Sequence, residues 1–339
     1  MLAWLPRGWG RPWDWVQVEV SSRCNARCLY CPHATLAPDW QGRLMDLDTF
    51  RRLLPSLRRA RLVHLQGWGE PLLNPDFWSM LRLARGQGCR VGTTTNATLL
   101  DAETARRMVA EGLEVVGLSL AGVDQRNDQI RRGTSLTQVL GAMEHLAQAK
   151  ARAGSELPTV HVAYLALRSR LDDVARLPGL LKDRGVTAVV VSTLDLVTSP
   201  ELAAEALWPQ DQAEFQRVEA MLDAAAQEAA QAGLAWHHQL AHPPGGRPGP
   251  CTENVDKAMV VSAAGQVMPC VFHNLSTSRP LAWQEGGMRP WRQERFGDVN
   301  QESLEDIWRG RGYRAFRDSL GRGSPPPGCR VCPKLRMVR

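Results

Sequence analysis

Short apolar runs alternate with segments of helical periodicity over the first two-thirds of the chain. Most of the runs are rich in Val, Leu or Thr and apolar at nearly every position, which is typical of strands covered on both faces. The predicted strands are residues 15–20, 62–66, 90–94, 115–120, 159–165 and 188–192. The predicted helices between them are residues 46–58, 76–86, 101–111, 136–153 and 171–184. Six such units in series predict an α/β fold with a parallel sheet curled into a partial (β/α)6 TIM-like barrel.

The last third of the chain has a different pattern. A long Ala-, Gln- and Glu-rich helix is predicted over residues 210–232, and residues 242–250 are rich in Pro and Gly, as in a linker. Residues 258–262 and 266–271 flank Gly265 and predict a β-hairpin, and short helices are predicted near 303–309 and 313–320. We therefore expect a barrel domain over residues 1–240, a linker over 241–250 and a small domain of a hairpin plus short helices over 251–339.

Composition and charge exclude several classes of protein. The 339 residues are 44% apolar and 22% charged, as in ordinary globular proteins. No apolar stretch approaches the roughly 20 residues that cross a bilayer, and the first residues lack a secretory signal, so we expect a cytoplasmic protein that does not enter a membrane. The net charge is +6, but the basic residues are scattered along the sequence and only four are Lys. Nucleic-acid binding needs a clustered basic surface and is therefore not expected.

Eight cysteines are unusual in a cytoplasmic chain, where thiols more often bind metals or react than form disulfides. Cys24, Cys28 and Cys31 directly follow the first predicted strand, and their spacing lets one loop direct three thiolates at a single point. Three thiolates suit an iron–sulfur cluster with one iron left open. The alternative is a structural zinc site, which needs a fourth ligand such as His33.

The CxxxCxxC spacing, with Tyr30 before its third cysteine, resembles the signature of the radical S-adenosylmethionine (SAM) superfamily. The resemblance implies that Cys24, Cys28 and Cys31 bind a [4Fe–4S] cluster whose open iron chelates SAM. It also implies reductive cleavage of SAM to a 5′-deoxyadenosyl radical, which abstracts a hydrogen atom from the substrate.

Further matches to this family follow at the carboxyl ends of predicted strands, where α/β folds place their sites. The positions that the resemblance assigns to SAM binding are Tyr30, Gly67, Gly69, Glu70, Asn96 and Ser119. Trp68 departs from the family's Gly-Gly-Glu motif, because it stands where the first Gly of the pair is expected. Asn96 and Ser119 have an alternative role in capping a turn or satisfying backbone groups. Arg131 and Arg132 are candidates for the SAM carboxylate, but we expect both to be exposed.

Four of the remaining cysteines, Cys251, Cys270, Cys329 and Cys332, lie in the last third of the chain. Two separated pairs of thiolates can hold either zinc or an iron–sulfur cluster, and chemistry alone does not choose between them. Their spacing resembles the SPASM/Twitch extension of radical SAM enzymes. Four cysteines match the shorter Twitch form, which implies one auxiliary [4Fe–4S] cluster that transfers electrons. Cys89, the eighth cysteine, is expected to be a buried apolar residue.

The resemblance implies a radical SAM enzyme that acts on a peptide or a small molecule and receives electrons from a reductant such as ferredoxin or flavodoxin. The first predicted strand begins near residue 15, without a leader-binding domain before it. That start favours a small molecule, or a peptide recruited by a separate partner. No general base can be named. The alternative is a non-catalytic iron–sulfur or zinc protein with an electron-transfer or structural role.

Overall fold

The computed structural model describes residues 11–37, 39–244 and 251–337. The strands are β1 (Trp13–Val18), β2 (Arg27–Cys28), β3 (Ala60–Leu65), β4 (Arg90–Thr95), β5 (Val115–Leu120), β6 (Arg131–Arg132), β7 (Thr159–Ala166), β8 (Ala188–Thr193), β9 (Ala235–His238), β10 (Ala258–Val261), β11 (Gln266–Met268), β12 (Leu281–Gln284), β13 (Gly287–Pro290) and β14 (Gly297–Asp298). The helices are α1 (Pro32–Thr35), α2 (Leu47–Leu57), α3 (Phe77–Gly86), α4 (Ala102–Ala110), α5 (Arg126–Ile130), α6 (Leu136–Ala153), α7 (Asp173–Leu181), α8 (Gln212–Gln231), α9 (Leu304–Arg309), α10 (Arg311–Gly321) and α11 (Pro327–Arg330).

The main sheet contains ten strands in the order β14-β11-β10-β1-β3-β4-β5-β7-β8-β9. All pairs from β10 and β1 through to β9 are parallel, and in the described part of the chain the two ends of the sheet do not pair with each other. This arrangement confirms the partial barrel. All six predicted strands are present, and the first of them begins two residues earlier than predicted. The structure adds β9, a seventh parallel strand along the chain that the sequence did not predict.

The helices cover the outer face of this sheet, and the burial pattern of the strands shows why. In β7 every second residue is buried, and Val160, Val162 and Tyr164 belong to the main core. The helices have apolar faces that pack against these strand residues, and α6, for example, buries Val139, Met143 and Leu146. Apolar burial on both partners is the main stabilising contribution to such a layer.

The predicted hairpin forms from β10 and β11, with its turn at Gly265, where φ is +86°. Its first strand pairs parallel with β1, so that the C-terminal part of the chain extends the main sheet. The sequence did not predict this contact. The long helix and both short C-terminal helices are also present, as α8, α9 and α10.

The predicted linker over residues 241–250 lies partly outside the described residues, which stop at 244 and resume at 251. Before this gap, Ala241 forms a bridge with Met337, and the backbone N–H of His242 donates to the carbonyl of Arg336. The division into domains at residues 241–250 stays a prediction. Within the described residues, no helix is both long and apolar enough to cross a membrane.

Candidate cofactor and active site

The three N-terminal cysteines lie in the segment that follows β1, at the carboxyl edge of the parallel strands: Cys28 ends the short strand β2, Cys24 precedes it and Cys31 caps α1. Their thiols are close enough together that a charge on Cys28 raises the pKa of both Cys24 and Cys31. Burial is the larger cause in both cases, and it raises the pKa of Cys31 to about 12. Thiols in such a place are neutral at pH 7 unless a cation compensates their charge, which iron does when it binds.

The ligand set fits an iron–sulfur cluster better than a zinc ion. The side-chain nitrogen of Asn96 donates to the Cys24 sulfur at 3.7 Å and the backbone N–H of Ala26 donates at 3.4 Å, as expected around an electron-rich thiolate. Within the described ranges, no three His, Cys, Asp or Glu side chains are grouped closely enough to hold one metal ion. A structural zinc site needs four ligands, and His33 is the candidate for the fourth. His33 instead packs edge-on against Trp40, with 5.8 Å between ring centroids.

Glu70 connects the loop after β3 to the end of β4. Its carboxylate is 1% exposed and accepts hydrogen bonds from the Thr95 hydroxyl at 2.8 Å, the Asn96 N–H at 2.8 Å and the Leu72 N–H at 3.2 Å. Burial raises its pKa, and these hydrogen bonds oppose the rise. Glu70 therefore fixes the loop and the strand end relative to each other.

The glycines of this loop are required by close packing. A Cβ on Gly67 would lie 2.1 Å from Cγ of Glu19, and one on Gly69 would lie 2.3 Å from the Arg23 carbonyl oxygen. Both distances are shorter than any real contact, so only glycine lets this loop pass so close to the chain after β1.

Asn96 lies at the junction of three segments. Its amide nitrogen donates to Asn25 in the cysteine loop at 2.9 Å, and its side-chain oxygen accepts from the N–H of Thr98 at 3.0 Å. Ser119, the penultimate residue of β5, is paired in register with Ala163 of β7. The structure thus places Asn96 beside Cys24, and Ser119 farther along the same sheet edge.

Arg131 lies beside the cysteine loop, and the sequence analysis misjudged its exposure. We expected it to be exposed, and this expectation is wrong: Arg131 is 5% exposed, because β6 pairs with β2 and places it opposite Cys28. It donates to the Tyr30 hydroxyl, and its Nε is buried without a hydrogen-bond partner in the described part of the chain. A buried guanidinium with an unsatisfied donor beside the cysteine loop suits an anionic ligand. Arg132 is exposed, as expected.

The four C-terminal cysteines, which come from three separate segments, line a single cavity. Burial raises the pKa of each of Cys270, Cys329 and Cys332, and the neighbouring cysteines raise it further. Apolar side chains including Val255, Phe272 and Leu335 form much of the remaining wall. Four thiols that line one cavity fit one cubane cluster with no open iron.

A buried ion pair forms another part of this wall. The Lys334 ammonium is 2.9 Å from Oδ2 of Asp195 and 3.4 Å from Oε1 of Glu253. Burial alone would lower the pKa of Lys334, but these two carboxylates outweigh it and raise the pKa. Asp195 follows β8, so the pair also ties the barrel to the C-terminal cysteine site. The sequence analysis did not identify any of these three residues.

Two stretches of the chain match known protein families. Residues 18–165 match the radical SAM superfamily, and residues 251–333 match the SPASM family, described as an iron–sulfur cluster-binding domain.

Other known proteins are similar to this chain over nearly its whole length. A tungsten-containing aldehyde ferredoxin oxidoreductase cofactor-modifying protein of Pyrococcus furiosus is 24% identical over 324 residues, which cover 94% of this chain and 86% of that protein. A PqqA peptide cyclase of Streptomyces rochei is 26% identical over 325 residues, covering 94% and 80%. The crystal structure of Streptococcus suis SuiB bound to SAM has a TM-score of 0.68 at 16% identity, covering 95% of this chain and 71% of SuiB, and it shares the fold.

Proposed function

Because the chain belongs to the radical SAM superfamily and carries a C-terminal SPASM domain, we propose that it is an enzyme that oxidises a peptide by hydrogen-atom abstraction. The observation that supports this most directly is the convergence of three thiols, Asn96 and the buried Arg131 at the carboxyl edge of the sheet. When bound, the [4Fe–4S] cluster and SAM supply a 5′-deoxyadenosyl radical. The residues of this chain bind the cofactors, orient them and exclude water.

Cys24, Cys28 and Cys31 would hold the cluster and leave one iron for SAM. Arg131 is buried and has an unpaired Nε, so we assign it to the SAM carboxylate. Gly67, Gly69, Glu70, Asn96 and Ser119 would form the rest of the SAM site, with Tyr30 supporting Arg131. Glu70 acts there as a positioning residue, because three donors of the protein already occupy its carboxylate.

Cys251, Cys270, Cys329 and Cys332 would hold one auxiliary [4Fe–4S] cluster. All four ligands come from the protein, so this cluster has no position for substrate. We propose that it accepts the electron that remains on the substrate after hydrogen abstraction. Two-electron oxidation of the substrate needs such an acceptor close to the site.

Two of the similar proteins support a peptide substrate, since one is a peptide cyclase and SuiB was also solved bound to its precursor peptide SuiA. A small molecule is the second candidate, because the relative from Pyrococcus furiosus modifies a cofactor.

The reductant would be an acidic electron carrier such as ferredoxin or flavodoxin. Arg27 and Arg132 are both exposed and lie directly opposite each other in the β2–β6 pair beside Cys28. In the part of the chain that the structure describes, no carboxylate forms an ion pair with either one. Like charges in such a pair repel each other, and an acidic partner would relieve this repulsion.

Anaerobic reconstitution followed by SAM and dithionite tests the proposal. We expect about eight irons per chain from two [4Fe–4S] clusters, and release of 5′-deoxyadenosine. Cys28→Ala should abolish that release, whereas Cys329→Ala should retain it and lose about half of the iron. The matched control is Cys89→Ala, since the Cys89 thiol is buried against the Leu57 carbonyl away from both sites. Full iron content in the wild type without any 5′-deoxyadenosine would favour the non-catalytic alternative.

A further inference from the structure

Trp68 makes two backbone contacts and one side-chain contact, and a glycine at this position could not make the side-chain contact. Its backbone N–H donates to Glu19 at 3.1 Å, and its carbonyl oxygen lies 4.0 Å from the Cys31 sulfur. Its indole Nε1–H reaches across to the C-terminal part of the chain and donates to the Val271 carbonyl at 3.2 Å. Val271 directly follows Cys270. One residue therefore contacts both the N-terminal cysteine loop and the chain next to a ligand of the auxiliary site.

The indole of Trp68 lies in an aromatic cluster shared by both parts of the molecule. The cluster consists of Leu196, Leu275, Ala282 and Trp291, with Leu36, Trp40, Trp68 and Phe272 packed against them. Leu36 and Trp40 follow the N-terminal cysteines, whereas Phe272, Leu275 and Trp291 follow Cys270. Apolar side chains from both parts of the chain therefore pack against each other in one cluster, as in a protein interior.

The segment that receives the indole is itself tied to the auxiliary site. The Trp291 indole donates to the Phe272 carbonyl at 2.9 Å, and Nε2 of His273 lies 3.7 Å from the Cys329 sulfur. Residues 271–273 form a single 3₁₀ turn that starts at Cys270. A cluster bound by Cys270 and Cys329 would therefore fix the position of the Val271 carbonyl, which accepts the hydrogen bond from the Trp68 indole.

A second tie crosses at the same place. The buried Glu19 carboxylate accepts from Trp68 with one oxygen and from the N–H of Ala263, in the β10–β11 turn, at 3.3 Å with the other. The loop of Gly67, Trp68 and Gly69 is thus held by two hydrogen bonds, one from the Trp68 backbone to Glu19 and one from the Trp68 indole to Val271. Since this loop belongs to the proposed SAM site, its order before binding reduces the entropy lost when SAM binds.

We propose that Trp68 couples the auxiliary site to the SAM site, so that a filled auxiliary site strengthens SAM binding through the indole contact with Val271. This inference rests on the proposed function, because it needs SAM to bind beside the loop that carries Trp68. Trp68 acts as a positioning residue here. The coupling is a property of this chain's tryptophan, since a glycine at this position has no side chain to reach Val271.

A double-mutant cycle measures the coupling. SAM affinity is determined by equilibrium dialysis with labelled SAM on oxidised, reconstituted protein, so that no reductant is present and no turnover occurs. Cys329→Ala should weaken SAM binding roughly five- to tenfold, as expected for a coupling that depends on one hydrogen bond and its packing. Trp68→Phe keeps a ring in the cluster but removes the indole N–H, and it should weaken binding by a similar factor. The double variant should be no weaker than either single one.

Trp40→Phe is the matched control, because the Trp40 indole belongs to the same cluster but donates to the Ser22 carbonyl within the N-terminal part. In the Trp40→Phe background, Cys329→Ala should still weaken SAM binding five- to tenfold. Additive losses for Trp68→Phe and Cys329→Ala would overturn the proposal, as would an unchanged SAM affinity in Trp68→Phe.

A reciprocal measurement avoids the cysteine variant, which is needed if Cys329→Ala does not fold. Linkage requires that SAM in turn orders the auxiliary side. In the wild-type holoenzyme, SAM should slow hydrogen exchange of residues 271–275 at least several-fold, and in Trp68→Phe it should not. Equal protection in both proteins would overturn the inference. If wild-type protein releases 5′-deoxyadenosine yet shows no coupling, only this inference fails, whereas wild-type protein that does not bind SAM contradicts the proposed function as well.

Discussion

Replacing Glu19 with glutamine should remove a pH-dependent loss of stability. Burial raises the pKa of the Glu19 carboxyl from 4.5 to about 7, because the N–H groups of Trp68 and Ala263 only partly offset its lost hydration. None of these partners carries a charge. Between pH 4.5 and 7 the native protein therefore keeps a proton on Glu19 that the unfolded chain has released.

The direction and the size of the effect follow from this difference. A raised pKa means that the native state is favoured at low pH and loses stability as the pH rises towards 7. At about 1.4 kcal/mol per pKa unit, ionised Glu19 costs about 2.5 kcal/mol between pH 5 and pH 8. Glu19→Gln carries no charge at either pH, so its stability relative to the wild type should rise by this amount over the same range.

Anaerobic thermal unfolding of both reconstituted proteins at pH 5, 6, 7 and 8 measures the effect. The difference in Tm between variant and wild type should move by about 3 to 4 °C in favour of the variant from pH 5 to pH 8. Other titrating groups are common to both proteins and cancel. Glu228→Gln is the control, since Glu228 is exposed on α8. A Tm difference that stays constant across this pH range would refute the reasoning, because Glu19 would then have no raised pKa.

Three further changes test other parts of the molecule. Arg131→Met should weaken SAM binding, measured by dialysis, about 10- to 100-fold, as expected for the loss of charge-assisted hydrogen bonds. Arg131→Lys should retain part of the SAM affinity. An unchanged affinity in Arg131→Met would show that Arg131 does not bind SAM. Lys334→Met leaves the buried Asp195 and the partly buried Glu253 without their cation and should lower the free energy of unfolding by about 3 to 5 kcal/mol in urea titrations. An accompanying Asp195→Asn should restore part of that loss, and a further decrease would contradict the ion-pair explanation. Arg27→Glu with Arg132→Glu should slow reduction by flavodoxin roughly tenfold at low salt but leave the dithionite reaction unchanged, whereas an equal effect on both reductants would exclude a docking face.

The strands and the spacing of the N-terminal cysteines could be recognised in the sequence because their signals are local, and the role of all seven cysteines as ligands stays a prediction. Apolar runs bounded by turns give strands, and closely spaced cysteines give a ligand loop regardless of the rest of the chain. The hairpin around Gly265 is equally local, since the turn needs a positive φ that glycine adopts readily.

Contacts between distant segments could not be predicted in this way. The pairing of β10 with β1 joins residues far apart in sequence, and nothing in either strand specifies its neighbour. Glu19 at the end of a strand looks like an ordinary solvated acid, yet two loops bury it. Lys334, two residues after Cys332, gave no sign that Asp195 would lie within 2.9 Å of it. Arg131 was misjudged for the same reason, because only its pairing opposite Cys28 buries it.

The parallel pairing of β1 with β10 also bears on how the chain is made. During synthesis β1 emerges before β10, and one of its edges stays unpaired until residues 258–261 leave the ribosome. An open strand edge is prone to pair with other chains, and domains synthesised in order spend time in such partial states. A ribosome that stalls before residue 258 would therefore release an aggregation-prone fragment, and a chaperone that shields this edge would improve the yield of native enzyme.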